Sequence, residues 1–181
     1  MLTNILLGIA AAVVLLIVVL VIVIATRPAD FRITRRLAIE ASPAAIFSHV
    51  NELAKWRGWS PWEKLDPDLK RTYDGPAAGE GASYAWAGNS KVGEGRMTIT
   101  ESRPSSLLRI KLEFKKPFEA TNTAEFTFEP NGSGTLITWS MNGCNSFMGK
   151  AFSLVMNMDK LIGKDFEKGL ASLKEIVEAK A

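Results

Sequence analysis

Leu107-Leu108-Arg109-Ile110-Lys111-Leu112-Glu113-Phe114 alternates apolar with charged side chains along its length. A β-strand turns successive side chains to opposite faces. Leu108, Ile110, Leu112 and Phe114 therefore share one face, and Arg109, Lys111 and Glu113 the other. One dry face and one wet face is the habit of an antiparallel sheet. The pattern continues on both sides. Thr121 to Glu129 turns Ala124, Phe126 and Phe128 one way, and Thr135 to Met141 does so with Ile137, Trp139 and Met141. Between them, Pro130-Asn131-Gly132-Ser133-Gly134 is a hairpin signal, because Asn-Gly tolerates positive φ. Upstream, Gly95 to Glu101 places Met97 and Ile99 inward, Ser83 to Ala87 carries Tyr84 and Trp86, and Leu69 to Tyr73 reads as a short strand.

Further out, the period changes. Phe31 to Ala41 is another alternating strand, with Phe31, Ile33, Leu37 and Ile39 on one face and Arg35 among them. Ser42-Pro43 starts a helix, Ser42 as N-cap and Pro43 in the first turn, where its missing N–H costs nothing. Ile46, Phe47, Val50, Leu53 and Ala54 follow at helical spacing. Trp56 to Asp68, with a glycine and two prolines, predicts a structured loop or broken helix. At the C-terminal end, Ile162, Phe166, Leu170, Leu173 and Val177 repeat at helical spacing. Met148, Phe152, Val155 and Met158 extend the stripe upstream, so a long amphipathic helix is expected, broken near Asn145 to Ala151 or at Gly163. The class is α+β: an antiparallel sheet whose dry face the last helix must cover.

The N-terminus is of another kind. Ile5 to Ala25 contains no charged residue, and at 1.5 Å per residue it reaches about 31 Å, close to the hydrocarbon thickness of a bilayer. Met1-Leu2-Thr3-Asn4 lacks the basic start of a cleaved signal peptide, and the apolar run exceeds the roughly 7–15 residues of one. A membrane anchor is the expectation, with residues 1–26 as a transmembrane helix, 27–36 as a basic juxtamembrane segment running into the first strand, and 31–181 as one globular domain. Arg27, Arg32, Arg35 and Arg36 follow the span and predict a single-pass protein with a cytoplasmic C-terminal domain, the four arginines being candidates for contact with anionic headgroups. All 22 Lys and Arg and all 19 Asp and Glu lie beyond the span. Outside the arginine cluster that balance is nearly even, which argues against a nucleic-acid partner. One cysteine, Cys144, excludes an intramolecular disulfide.

The order of elements resembles the SRPBCC superfamily (START-like, or polyketide cyclase/dehydrase-like). The matching residues are Ala41-Ser42-Pro43-Ala44-Ala45-Ile46-Phe47, Trp56 with Trp59-Ser60-Pro61-Trp62 and Asp66-Pro67, the Gly79-Glu80-Gly81 turn, Tyr84-Ala85-Trp86 with Gly88, and the helix from Asp165 to Val177. The resemblance covers Phe31 to Ala181 and implies a helix-grip fold, in which a curved antiparallel sheet wraps a long C-terminal helix and leaves a cavity. These motifs specify fold more than function.

Candidate cavity residues are Trp56, Trp59, Trp62, Tyr84, Trp86, Phe114, Trp139, Met141, Phe152 and Met156; large rings and flexible thioethers suit an apolar ligand as well as an ordinary core. Catalytic candidates are thin. His49 is the sole histidine and falls off the apolar face of its helix, no second histidine exists for a zinc site, and Cys144 has no histidine partner in view. Asp66, Asp68 and Asp74 read as turn formers. No metal or cofactor is expected. The reading is a membrane-anchored binding module for a hydrophobic small molecule or lipid. The alternatives are a cyclase/dehydratase-type enzyme, using Tyr84, Asn122, Arg96 or Glu113, or a membrane-associated interaction domain.

Overall fold

The computed structural model describes residues 1–179. An apolar helix, α1 (Leu2–Thr26), precedes strand β1 (Asp30–Ile39) and helix α2 (Pro43–Asn51). Ser42 caps α2 as expected, its Oγ accepting from the Ala45 N–H at 3.3 Å with Pro43 in the first turn. The tryptophan segment forms a 3-10 turn (Leu53–Lys55), a four-residue helix α3 (Trp56–Trp59) and a second 3-10 turn (Pro61–Lys64). Six strands follow: β2 (Lys70–Asp74), β3 (Ser83–Ala87), β4 (Glu94–Arg103), β5 (Leu107–Lys116), β6 (Ala120–Asn131) and β7 (Gly134–Cys144). Helices α4 (Phe147–Val155) and α5 (Met158–Glu178) complete the chain.

The seven strands form one antiparallel sheet in the order β1-β7-β6-β5-β4-β3-β2, so every neighbour except β1-β7 is a sequential hairpin. Alternation decides the faces. In β6, Asn122, Ala124, Phe126 and Phe128 are all buried, and α5 lays Phe166, Leu170, Leu173 and Val177 against that side. In the β6–β7 hairpin, Asn131 pairs with Gly134, leaving Gly132 and Ser133 as the loop; the positive φ falls on Gly132. Glycine first in a two-residue loop matches the twist of the flanking strands.

The C-terminal stripe breaks at neither expected place. The helix is interrupted at Met156–Asn157, where the Asn157 side chain accepts from the Lys160 N–H and caps α5. Gly163 sits inside a continuous α5, and its lack of a side chain serves packing. A Cβ there would collide with the guanidinium of Arg35, which crosses beneath the helix. Arg35 donates to Glu167 at 2.7 Å and to both carboxylate oxygens of Asp159 at 3.1 Å. These contacts lower the Asp159 carboxyl below its ordinary range.

The four arginines that follow α1 therefore do not form one patch. Arg35 is clamped onto α5. Arg27 and Arg32 are exposed beside the α1 exit. Arg36 stands six residues into β1, about 20 Å from its start at 3.3 Å per residue.

Candidate functional site

Between the concave face of the sheet and α5 lies a cavity of about 300 Å³. Sheet curvature and residue size create it. Ala124, on β6, is too small to reach the helix, while Trp86, Phe114, Trp139 and Met141 wall the sides. Ile162 and Phe166 of α5 form the roof, and Trp56 and Trp62 close one side.

The expected tryptophan cluster divides. Trp59 is 1% exposed and lies outside the cavity lining, packed in the core at a tilt against Trp56 with 4.6 Å between ring centroids; its Nε1–H donates to the His49 carbonyl. Trp56 belongs to both core and wall, and its Nε1–H donates to the Val50 carbonyl at 2.9 Å. Trp62 meets Trp139 and Phe166 edge-on at the cavity side. Trp139 is sandwiched between Phe126 and Phe166, with Phe166 parallel at 4.0 Å. Its buried Nε1–H has no hydrogen-bond partner among the described residues.

Phe152 and Met156 are corrections. Both are exposed, and neither lines the cavity, because α4 diverges from the axis of α5 at Asn157. Arg96 and Glu113 face each other across β4 and β5 on the outer side of the sheet, away from the cavity. Asn122 is inward and buried, its amide reaching the Met141 sulfur at 4.0 Å.

One polar corner interrupts the apolar walls. Glu63, in the turn after Trp62, accepts from the Tyr84 hydroxyl at 2.7 Å and from Arg71 Nε at 2.7 Å. Its side chain is 6% exposed. A carboxylate this dry is tolerated when an opposite charge and hydrogen bonds hold it, which Arg71 and Tyr84 supply. Arg71 is fixed in turn by the Leu69 carbonyl at 2.8 Å. Burial, reinforced by the bond to Glu63, pushes the Tyr84 phenol well above its ordinary pKa. Tyr84 is therefore a hydrogen-bond donor at neutral pH and not a phenolate base. Two acceptors on a carboxylate carry about four lone-pair positions, so Glu63 retains capacity for a donor arriving in the cavity.

Sequence reasoning found Tyr84 and missed Glu63 and Arg71. A signal for Arg71 was present: at period two it shares a strand face with Leu69 and Tyr73, and an inward charge needs a partner. Nothing local marked Glu63 as that partner. Among the described residues no group of three His, Cys, Asp or Glu side chains could hold a metal ion.

A two-layer grip of sheet on helix around an apolar cavity defines the class: a helix-grip, START-like domain. Residues 30–178 match the family described as polyketide cyclase/dehydrase and lipid transport, and the chain belongs to that family. No curated protein matches the sequence. Among solved structures, a protein of unknown function from Staphylococcus aureus is similar with a TM-score of 0.64 at 10% identity, over 85% of this chain and 97% of the other. A Thermus thermophilus protein gives 0.57 at 18% identity, over 83% and 99%. The Aha1 dimer from Colwellia psychrerythraea gives 0.59 at 16%, over 82% and 96%. At such identities the likeness shows the shared fold.

Proposed function

We propose that this protein is a membrane-anchored binding module for a lipid or other hydrophobic small molecule. The observation that carries the reading is the cavity: apolar walls with one hydrogen-bonding corner, the composition of a site that holds a ligand and orients it. Its volume suits a ligand of roughly ten to fifteen non-hydrogen atoms in the lower range of known pockets. The Glu63 corner favours a ligand bearing a hydroxyl or amine at one end and hydrocarbon elsewhere. Family membership supports hydrophobic-ligand binding. The anchor reading is supported by α1, a 25-residue helix without a charged side chain that is long enough to cross a bilayer. The arginines after it support a cytoplasmic domain.

The test uses the full chain, extracted in mild detergent and transferred to lipid nanodiscs. Organic extraction and mass spectrometry are expected to recover an apolar small molecule distinct from the disc lipids. Decanol is expected to bind the emptied protein. A chain that carries nothing and binds neither decanol nor decane refutes the binding reading. Retention in the membrane fraction through alkaline carbonate tests the anchor separately.

A second reading rests on one observation, the carboxylate and phenol set together in an apolar cavity. That couple is the smallest kit for proton transfer in a cyclase or dehydratase. The two readings part at the Glu63→Gln variant incubated with a substrate: an enzyme loses turnover, whereas a carrier shows only altered affinity.

A further inference from the structure

The strand register places the solvent-exposed rim of the cavity at one end of the sheet. Asp30 pairs with Cys144, Gly143 with Asn122, Phe114 with Ala120, Lys116 with Glu94, and Glu94 with Ala87. The start of β1, the end of β7, the β5–β6 turn and the β3–β4 turn therefore share one edge of the molecule. The cavity-lining residues that are solvent-exposed are Ser90, Lys91, Lys116 and Pro117, and all four lie in those two turns or, for Lys116, at the strand end that enters one. The cavity thus opens at the end of the sheet where α1 leaves it. At the opposite end lie the Gly132-Ser133 turn and the C-terminus of α5, whose Glu178 accepts from the Glu40 N–H.

That same end carries unpartnered apolar side chains. Phe118, at the tip of the β5–β6 turn, is 60% exposed. Helix α4 buries no residue, and Phe147, Met148, Phe152 and Val155 project from one of its faces into solvent. Over the nine residues from Phe147 to Val155, these four side chains fall within an arc of about 140° at 100° per residue, a membrane-surface pattern. α4 is also tied to the anchor: it packs against α1, and Lys150 Nζ donates to the Ala25 carbonyl at 3.3 Å, one of the acceptors left open where α1 ends. Exposed cations Lys115, Lys91, Arg27 and Arg32 flank the apolar tip and the exit, beside Lys116, which pairs with Glu94 at 2.9 Å, and the exposed acids Asp30 and Glu119.

We infer that the bilayer surface is the partner of this end: α4 and the Phe118 turn sink into the headgroup boundary beside α1, and the cavity mouth opens onto the membrane itself. An amphiphile then passes between bilayer and cavity without crossing water. The inference rests on the anchor reading and adds to it a fixed orientation, since a span alone allows the domain to hang freely.

The test reconstitutes the full chain into vesicles of phosphatidylcholine with phosphatidylglycerol. In a Cys144→Ser background, the Phe118→Cys, Phe152→Cys and Ser133→Cys variants each carry an environment-sensitive fluorophore. Labels at 118 and 152 are expected to emit at shorter wavelength and to be quenched by brominated acyl chains, while the label at 133 responds only to aqueous iodide. All three sites are exposed, so the substitutions leave the core intact, and circular dichroism checks that they do. Protein retained through carbonate, with the labels at 118 and 152 as accessible to iodide as that at 133, overturns the inference and leaves the anchor standing. Protein washed off by carbonate overturns both.

Discussion

Tyr84 donates its hydroxyl hydrogen to Glu63 across 2.7 Å, and Arg71 grips the other carboxylate oxygen at the same distance. Two strands and the tryptophan segment meet at this point, so the couple both orders the cavity wall and polarises it. Hydrogen bonds to a charged partner contribute about 1.5–3 kcal/mol each. Tyr84→Phe removes one of them and leaves Arg71 on Glu63. The variant is expected to melt ~3–12 °C lower, at the 2–4 °C per kcal/mol of a chain this size. Differential scanning fluorimetry in nanodiscs reads the shift.

On the binding reading, the same couple is expected to make the site choose polar-ended ligands. Decanol and decane differ only in a hydroxyl, which Glu63 can accept. Decanol is expected to bind about tenfold better than predicted from its chain, equivalent to 1.4 kcal/mol. Glu63→Gln should erase most of that preference while leaving decane affinity unchanged. Equal binding of the two by the native protein would remove Glu63 from the recognition scheme.

Alkaline stability follows from the phenol. Burial and the bond to Glu63 raise the Tyr84 pKa in the fold above its value of about 10 in the unfolded chain. The folded state then holds a proton that the unfolded state releases, so this stabilisation is whole below pH ~10 and is lost as pH rises beyond it. Tyr73, stacked on Tyr84 at 5.1 Å, is raised by burial in the same direction. Melting temperature should fall above pH ~10 in the native chain and fall less steeply in Tyr84→Phe, with Tyr73 supplying the remaining slope.

Ala124 sets the depth of the cavity. Ala124→Phe adds a ring into empty space, where overpacking of a filled core would cost about 1–3 kcal/mol. Decanol affinity is expected to drop more than ~10-fold, or 1.4 kcal/mol, with a melting temperature equal to or above the native one. A strongly destabilised variant would mean that the void is smaller than its lining implies.

Most of the fold could be read from periodicity, because each strand shows a dry side and a wet side and the last helix carries a matching stripe. Leu108, Ile110, Phe126 and Ile137 were all placed inward by alternation, and all are buried. The site was less legible. Cavity wall and core use the same residue types, so Trp59 and Trp56 look alike in sequence though only Trp56 reaches the cavity. Phe152 belongs to the apolar stripe that leads into α5 in sequence and Met156 lies close behind it, but the Asn157 cap redirects the chain and leaves both outward. Inward charges were the most informative exceptions. Arg35 and Arg71 each occupy a dry-face position; Arg35 proves to hold Asp159 and Glu167 of α5, and Arg71 holds Glu63 of the turn eight residues before it, pairings that one-dimensional spacing does not name.

Arg35 and Gly163 provide the sharpest test of how β1 is locked to α5. Alanine in mid-helix is ordinarily better than glycine by about 0.8–1 kcal/mol, so Gly163→Ala would stabilise a helix with nothing beneath it. Here the added Cβ collides with the Arg35 guanidinium and displaces it from Asp159 and Glu167. Gly163→Ala is therefore expected to destabilise the native chain and to stabilise Arg35→Ala, a reversal of sign that reports direct coupling in a double-mutant cycle. The pH dependence provides a second reading. Because Arg35 lowers the folded pKa of Asp159 below its unfolded value, the contribution is present above pH ~4 and lost as pH falls through the folded value. Both single variants should lose that acid-side slope. If Gly163→Ala instead stabilises the native chain and keeps the slope, Arg35 bends around the new methyl group, and the glycine is not what admits it.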